Sequence, residues 1–270
     1  MSRCASQWSP CSRTCSEVSV AEVVQVRDLH YSYPDGTDAL RGVDLNVDEG
    51  ERVAVLGPNG AGKTTLMLQL NGLLRPSWGN VHVGGVPVDD SHKSENRRRV
   101  GLVFQDPDDQ LFMPTVRQDV AFGPANAGLR PPELDTVVED ALAQVGMTAV
   151  ADRPPHHLSL GQRRRVAIAT VLASDPDVLV MDEPSSNLDP ASRREVAEVL
   201  LAMRRTTLLV THDLPYALQI CPRAVILSDG RIVADRPTSE LLADKELLAA
   251  HRLELPFGFD PTTVSRSALR

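Results

Sequence analysis

Short apolar runs alternate along this chain with polar stretches rich in glycine and proline. Four runs, at residues 53–56, 100–104, 178–181 and 207–210, are continuous rather than alternating. That is the pattern of strands buried on both faces of a parallel sheet. Segments of helical spacing lie between them. Leu66, Leu70 and Leu73 mark one face of a helix over 63–73. Leu134, Val137, Val138, Ala141, Leu142 and Val145 mark a second, opened by Pro131 and Pro132 and stopped by Gly146. Ser159 and Gln162 have the spacing of a capping box, which starts a helix reaching about Ala173. Val196, Val199, Leu200 and Met203 share a face of a helix opened by Asp189 and Pro190. Strands alternating with helices predict an α/β fold with a mostly parallel, doubly covered sheet.

Three regions depart from that alternation. Residues 23–47 carry two β-patterned segments around an Asp35-Gly36 turn, and 80–88 returns to strand, so a small antiparallel sheet is expected beside the main one. Residues 93–99 are polar and basic, as a solvated stretch would be. Residues 106–157 read as a helical insertion, with a helix near Val116 and an exposed-looking Leu111–Phe112 pair in the loop before it. A hairpin is expected at Asp229-Gly230, then a last helix over about 239–252. The expected organisation is a disordered tail over 1–22, one domain over 23–235 with its helical subdomain at about 106–157, and a C-terminal helix and tail over 236–270.

The first continuous run leads into chemistry. Gly57, Gly62, Lys63 and Thr64 fill the pattern G-x-x-x-x-G-K-[ST], with Pro58, Asn59, Gly60 and Ala61 inside it and Thr65 after it. Glycines let the backbone curl until several N–H groups face one anion, and the following helix N-terminus adds positive partial charge. Lys63 can then reach the outer phosphates and the Thr64 hydroxyl can hold Mg²⁺. The chain has only three lysines among its 28 basic residues. One of them stands where a compact, flexible ammonium suits a phosphate.

Ligands of such sheets bind beyond the carboxyl ends of the strands. There the other runs end in Gln105, in Asp182-Glu183 and near His212. Asp182 can orient Mg²⁺, Glu183 can polarise an attacking water, Gln105 can ligate the ion or place that water, and His212 can donate to a terminal phosphate. Singly these residues also suit a strand–loop junction, a cap and a structural histidine. Their joint placement on successive strand ends favours chemistry. Tyr33 suits either a half-buried strand position or stacking on a base.

Charge and composition narrow the class. A net charge of −8 argues against general affinity for nucleic acid or anionic lipid, and 42% hydrophobic residues can build a sizeable core. No apolar run approaches the roughly 18 residues of a membrane span. An apolar signal core is absent from the N-terminal stretch, so secretion is not expected. Cys4, Cys11 and Cys15 fit no zinc spacing.

These motifs together resemble the nucleotide-binding subunit of ATP-binding cassette (ABC) transporters over about residues 23–235. Residues 57–65 are similar to the family's Walker A and 178–183 to its Walker B. Gln105 matches the Q-loop, 186–189 (SNLD) the D-loop, His212 the switch histidine and Tyr33 the adenine-stacking aromatic. Residues 158–162, LSLGQ, resemble the signature LSGGQ, with Leu160 in place of the first glycine and Ser159, Gly161 and Gln162 retained. The resemblance implies a P-loop NTPase core with an antiparallel β subdomain and an inserted α-helical subdomain. It implies ATP and Mg²⁺ as ligands, Glu183 as base, and a head-to-tail dimer with a second ABC ATPase subunit. In that dimer Ser159, Gly161 and Gln162 face the partner's nucleotide.

The stretch FQDPDDQL (104–111), with Phe112 and 119–129 after it, is similar to ATPases of energy-coupling-factor importers for cobalt, nickel or vitamins. That narrower resemblance implies a peripheral subunit on the cytoplasmic face of the cell membrane. It implies a transmembrane coupling protein and a substrate-capture protein as partners, with Leu111 and Phe112 supplying apolar contact. The alternatives are an ABC ATPase of another importer or exporter class, a soluble ABC ATPase acting on ribosomes or DNA, and an unrelated P-loop kinase or GTPase. The last leaves LSLGQ and His212 unexplained.

Overall fold

The computed structural model describes residues 22–263. The three N-terminal cysteines and the expected disordered tail up to residue 21 lie outside the described residues. In chain order the first half holds β1 (Glu22–Ser32), β2 (Asp38–Asp48), β3 (Arg52–Leu56), α1 (Lys63–Leu70), β4 (Trp78–Val83), β5 (Val86–Pro87), α2 (Lys93–Arg99), β6 (Val100–Val103), α3 (Val116–Asn126) and α4 (Glu133–Gln144). The second half holds α5 (Leu160–Leu172), β7 (Val178–Asp182), α6 (Pro190–Ala202), β8 (Thr206–Val210), α7 (Leu214–Ile220), β9 (Arg223–Ser228), β10 (Arg231–Pro237), α8 (Thr238–Ala243) and α9 (Lys245–Ala250).

Two sheets result. The larger runs β10-β9-β3-β8-β7-β6, parallel from β9 to β6, with β10 antiparallel at one edge. The smaller is antiparallel, in the order β2-β1-β4-β5. The continuous apolar runs resolve into two faces. Val53, Val55, Val178, Val180, Leu208 and Val210 pack with α1 and the antiparallel sheet. Ala54, Leu56, Leu179, Met181 and Leu209 pack with α5, α6 and α7. Burying a side chain such as Leu179 or Met181, both fully inaccessible, contributes about 1.5–3 kcal/mol each. With both faces covered, apolar residues are needed on both, which is why the runs do not alternate.

The helical insertion has no core of its own. Val116, Val120, Val138 and Leu142 belong to the same buried cluster as Val166, Ile168 and Leu179. Helix α4 keeps its predicted stripe and ends where Gly146 adopts φ 67°.

Several expectations are corrected. β1 begins at Glu22, the last residue of the expected tail. α1 stops at Leu70, so Leu73 is 46% exposed rather than on the helix face. The stop is local: the Asn71 side chain donates to the Val100 carbonyl at 2.6 Å, and Gly72 turns at φ 73°. Residues 80–88 are two strands hinged at Gly84 and Gly85. The basic stretch 93–99 is largely exposed, as expected, and is helical, with Arg99 paired to Glu95 at 2.8 Å and to Asp177 at 2.5 Å. Leu111 is buried, because a 3-10 turn over Pro107–Asp109 folds it inward; Phe112 is the exposed member, edge-on to Phe122 at 5.0 Å. α7 was not predicted, although Asp213 caps it and Pro215 sits in its first turn. The last helix is two, broken at Asp244, whose carboxylate accepts the Leu247 N–H at 3.0 Å.

Candidate functional site

A cavity of about 890 Å³ opens at the carboxyl ends of β3, β7 and β8. The glycine-rich turn forms its floor through Gly57, Pro58, Asn59, Gly60 and Gly62, with Lys63, Thr64 and Thr65 at the tip of α1. Gln105, Asp182, Glu183 and His212 stand on one side and Tyr33 on another.

The turn tolerates glycine alone at two positions. Gly57 has φ 151°, and a Cβ there would lie 2.1 Å from the Leu227 carbonyl oxygen. Gly62, the residue before α1, has φ 102°, and its Cβ would lie 2.5 Å from the Ala39 oxygen. The Lys63 ammonium is buried in the loop and donates to the carbonyls of Gly57 at 2.7 Å and Pro58 at 2.9 Å. Its third proton remains for an anion. Burial pushes its pKa down, against the opposing pull of Glu183 and Asp182. Bound phosphate would add to that pull and keep Lys63 charged. The Tyr33 hydroxyl meets the Thr65 hydroxyl at 2.9 Å, and its ring stands edge-on to Tyr31 at 5.0 Å. Tyr33 is thereby fixed at the cavity wall.

At the end of β7 two carboxylates sit side by side. Thr64 Oγ1 donates to Asp182 Oδ2 at 3.4 Å. Burial, and then the neighbouring Glu183 charge, raise the Asp182 pKa. Glu183 is buried and adopts φ 47°, a left-handed conformation that a non-glycine residue holds only when its surroundings impose it. They do. Its N–H donates to the Val210 carbonyl at 2.8 Å. Its Oε2 accepts from the Thr211 hydroxyl at 3.0 Å, and its Oε1 accepts from the His212 N–H at 2.9 Å. His212 Nδ1 lies 2.7 Å from the same Oε1. Glu183 lines the cavity with both carboxylate oxygens held, and the largely exposed imidazole is bonded to it.

The cavity suits a nucleoside triphosphate with a hard cation. One carboxylate and one hydroxyl, completed by phosphate oxygens, make an Mg²⁺ donor set.

The predicted residues divide into two groups. Tyr33, Gly57, Pro58, Asn59, Gly60, Gly62, Lys63, Thr64, Thr65, Gln105, Asp182, Glu183 and His212 come together around one cavity. Ala61 lies behind the loop, where its carbonyl accepts the Gly230 N–H at 3.2 Å. Ser159, Gly161 and Gln162 do not line the cavity of their own chain. They form the tip of α5, with both capping-box bonds present: Ser159 Oγ accepts from Gln162 N at 3.2 Å, and Gln162 Oε1 accepts from Ser159 N at 3.0 Å. Gly161 is required inside the chain, since its Cβ would lie 2.5 Å from the Ser192 side chain. Besides Thr37, Asp38 and Ala39, which follow Tyr33 into the cavity wall, three further lining residues are absent from the sequence reading: Arg252, Leu253 and Glu254, just after α9. No local signal marks them, because they reach the site only through the fold of the C-terminal helices.

The family model described as ABC transporter matches residues 40–186. The chain belongs to the ABC transporter family. A putative ABC transporter ATP-binding protein of Streptomyces coelicolor is 66% identical over 244 residues, covering 90% of this chain and 94% of that protein. An energy-coupling factor transporter ATP-binding protein of Methanothermobacter thermautotrophicus is 47% identical, covering 87% of this chain and 77% of that one. Among solved structures, cbiO1 of Clostridium perfringens, described as part of the ABC transporter complex cbiONQ, superposes with a TM-score of 0.78 at 38% identity, covering 87% and 96%. A dimeric ATP-binding cassette bound to ADP and Pi superposes with a TM-score of 0.70 at 28% identity, covering 80% and 98%. The chain is thus an ABC transporter ATPase with the P-loop NTPase α/β fold, related to the energy-coupling-factor type. Among the described residues no helix is long and apolar enough to cross a membrane.

Proposed function

We propose that this ABC ATPase is the motor subunit of an energy-coupling-factor importer for cobalt or nickel ions or a vitamin, held peripherally at the cytoplasmic face of the membrane. The observation that carries the chemistry is Glu183, a strained, buried carboxylate fixed by Thr211 and His212 at the wall of the phosphate cavity. In the proposed reaction ATP lies with its phosphates in the Gly57–Gly62 turn and its base against Tyr33. Lys63 turns from the loop carbonyls to the outer phosphates. Glu183 takes a proton from the attacking water, and His212 donates to the terminal phosphate. Thr64, Asp182 and Gln105 would hold Mg²⁺, whose charge offsets that building on the phosphate oxygens. The exposed tip of α5, with Ser159 at its front, addresses the nucleotide of a second copy or a related subunit.

The import reading draws on the relatives named as energy-coupling-factor ATPases and on the exposed pair Phe112–Phe122. Two adjacent exposed aromatics on the helical insertion suit a short apolar helix of a membrane coupling protein. Glu183→Gln is expected to bind MgATP at near wild-type affinity and to lose hydrolysis by about 100-fold or more; near-normal turnover overturns the assignment. Phe112→Asp is expected to keep ATPase activity and lose co-purification with the membrane partner. Retained co-purification would contradict docking at this surface.

A further inference from the structure

Among the described residues, Arg164 heads the fully buried side chains by volume, at 1% exposure. Its neighbours on α5 hold carboxylates: Arg163 pairs with Asp108 at 3.0 Å and Arg165 with Glu195 at 3.0 Å. Arg164 pairs with none. Its Nη1 donates to the carbonyls of Phe104, at 3.2 Å, and of Gln105, while Nη2 donates to the carbonyl of Ser186 at 3.4 Å. The Nε is left without a partner.

Those three carbonyls belong to two separate segments. Phe104 and Gln105 follow β6, and Gln105 lines the nucleotide cavity. Ser186 lies in the turn directly after Glu183, where its N–H and its hydroxyl both bond the Glu183 carbonyl. Arg164 itself sits five residues into the helix capped by Ser159, about 7.5 Å along its axis. One rigid fork therefore joins the cavity wall, the turn behind the carboxylate pair and the helix whose exposed tip lies outside the cavity. Gln110 makes a second tie between the same loop and helix. It accepts from Phe104 N at 3.2 Å and donates to the Ala167 carbonyl at 2.8 Å.

Burial pushes the Arg164 pKa down, while the charges of Asp106, Asp182 and Glu183 pull it up, though none of these carboxylates bonds the guanidinium. Its donors go to carbonyls instead, which a planar guanidinium can bond at fixed angles.

We propose that Arg164 is a positioning residue that transmits nucleotide-dependent movement of Gln105 to the Ser159 tip of α5. It rests on the reading of this cavity as the ATP site. When Gln105 shifts toward bound nucleotide, its carbonyl carries the guanidinium and thus the helix tip, and the Ser186 carbonyl keeps the carboxylate turn in step.

The test compares wild type with Arg164→Met and Arg164→Lys in three measurements: affinity for a non-hydrolysable ATP analogue, steady-state ATPase, and amide hydrogen exchange with and without the analogue. In wild type, nucleotide should protect both 57–65 and 159–163. In Arg164→Met the affinity should stay within twofold, while loss of the donors to three carbonyls should lower the melting temperature. Protection should persist at 57–65 and vanish at 159–163, and kcat should drop about tenfold or more with KM little changed. Arg164→Lys, which keeps a donor for the carbonyls, should recover part of both. Nucleotide-dependent protection at 159–163 in Arg164→Met equal to wild type overturns the proposal. Should the Met variant be too unstable to purify, Arg164→Gln, too short to bridge all three carbonyls, gives the same reading. Failure of wild type itself to bind the analogue would strike the ATP-site reading instead.

Discussion

At the scale of single residues the site is built against stability. Asp182 and Glu183 place two carboxylates in a buried, like-charged setting, and Glu183 holds a left-handed backbone as well. The raised Asp182 pKa means that the folded chain holds this proton more tightly than the unfolded chain does. Its contribution to folding is therefore most favourable at acid pH and is lost as pH rises through the window from 3.8 up to the raised value. Above the raised value the penalty is fully present. Asp182→Asn should raise the nucleotide-free melting temperature at pH 7 while abolishing hydrolysis, and the gain should shrink toward pH 4. Calorimetry across that range checks the sign. Asp119 is another buried carboxylate whose pKa burial raises, here against two backbone N–H bonds that pull it down. Its Oδ1 accepts the N–H groups of Phe112 at 3.0 Å and Met113 at 2.9 Å from a buried position. Asp119→Ala orphans both donors and should cost about 1–3 kcal/mol in denaturant unfolding. It should also loosen the segment that presents Phe112.

At the scale of elements, local signals were legible and long-range ones were not. The capping box at Ser159, the stripe of α4, the Gly146 stop and the Asp229-Gly230 hairpin are written within a few residues, and each appears as read. The strand ends were legible because a doubly covered parallel sheet forces continuous apolar runs that stop where the cavity begins. The failures share a cause. α8 and α9 were merged because apolar spacing continues across Asp244, and only its capping of Leu247 breaks the helix. Leu111 looks exposed in the sequence because its burial depends on packing with distant α3 and α5 residues. Arg252–Glu254 were missed for the same reason. Ser159→Ala removes an exposed cap bond and should cost about 1 kcal/mol of stability. Activity should fall well beyond what that loss explains, because the same hydroxyl leads the exposed helix tip. Gly161→Ala acts differently. It drives a methyl into Ser192 and should destabilise the α5–α6 packing itself, read as a lowered melting temperature with or without nucleotide.

At the scale of the whole molecule, the C-terminal helices return the chain to its beginning. Arg252, Leu253 and Glu254, just after α9, all line the cavity formed by the glycine-rich turn. Arg252 adds a cation beside a cavity suited to a polyanion. Arg252→Ala should weaken ATP binding by about threefold to tenfold, more at low salt than at high, with kcat little changed. Titrations at two ionic strengths measure it. The larger division is between what one chain completes and what it leaves open. The cavity gathers the phosphate loop, the carboxylates and His212, yet the α5 tip stands apart from it. The account therefore requires a second subunit to bring Ser159 to the nucleotide. The most direct test is the mass of purified Glu183→Gln by light scattering with and without MgATP. The account predicts that MgATP converts monomers to dimers holding two ATP molecules each, and that Ser159→Arg in the same background blocks the conversion. A Glu183→Gln chain that binds MgATP and remains monomeric at every concentration tested would contradict it.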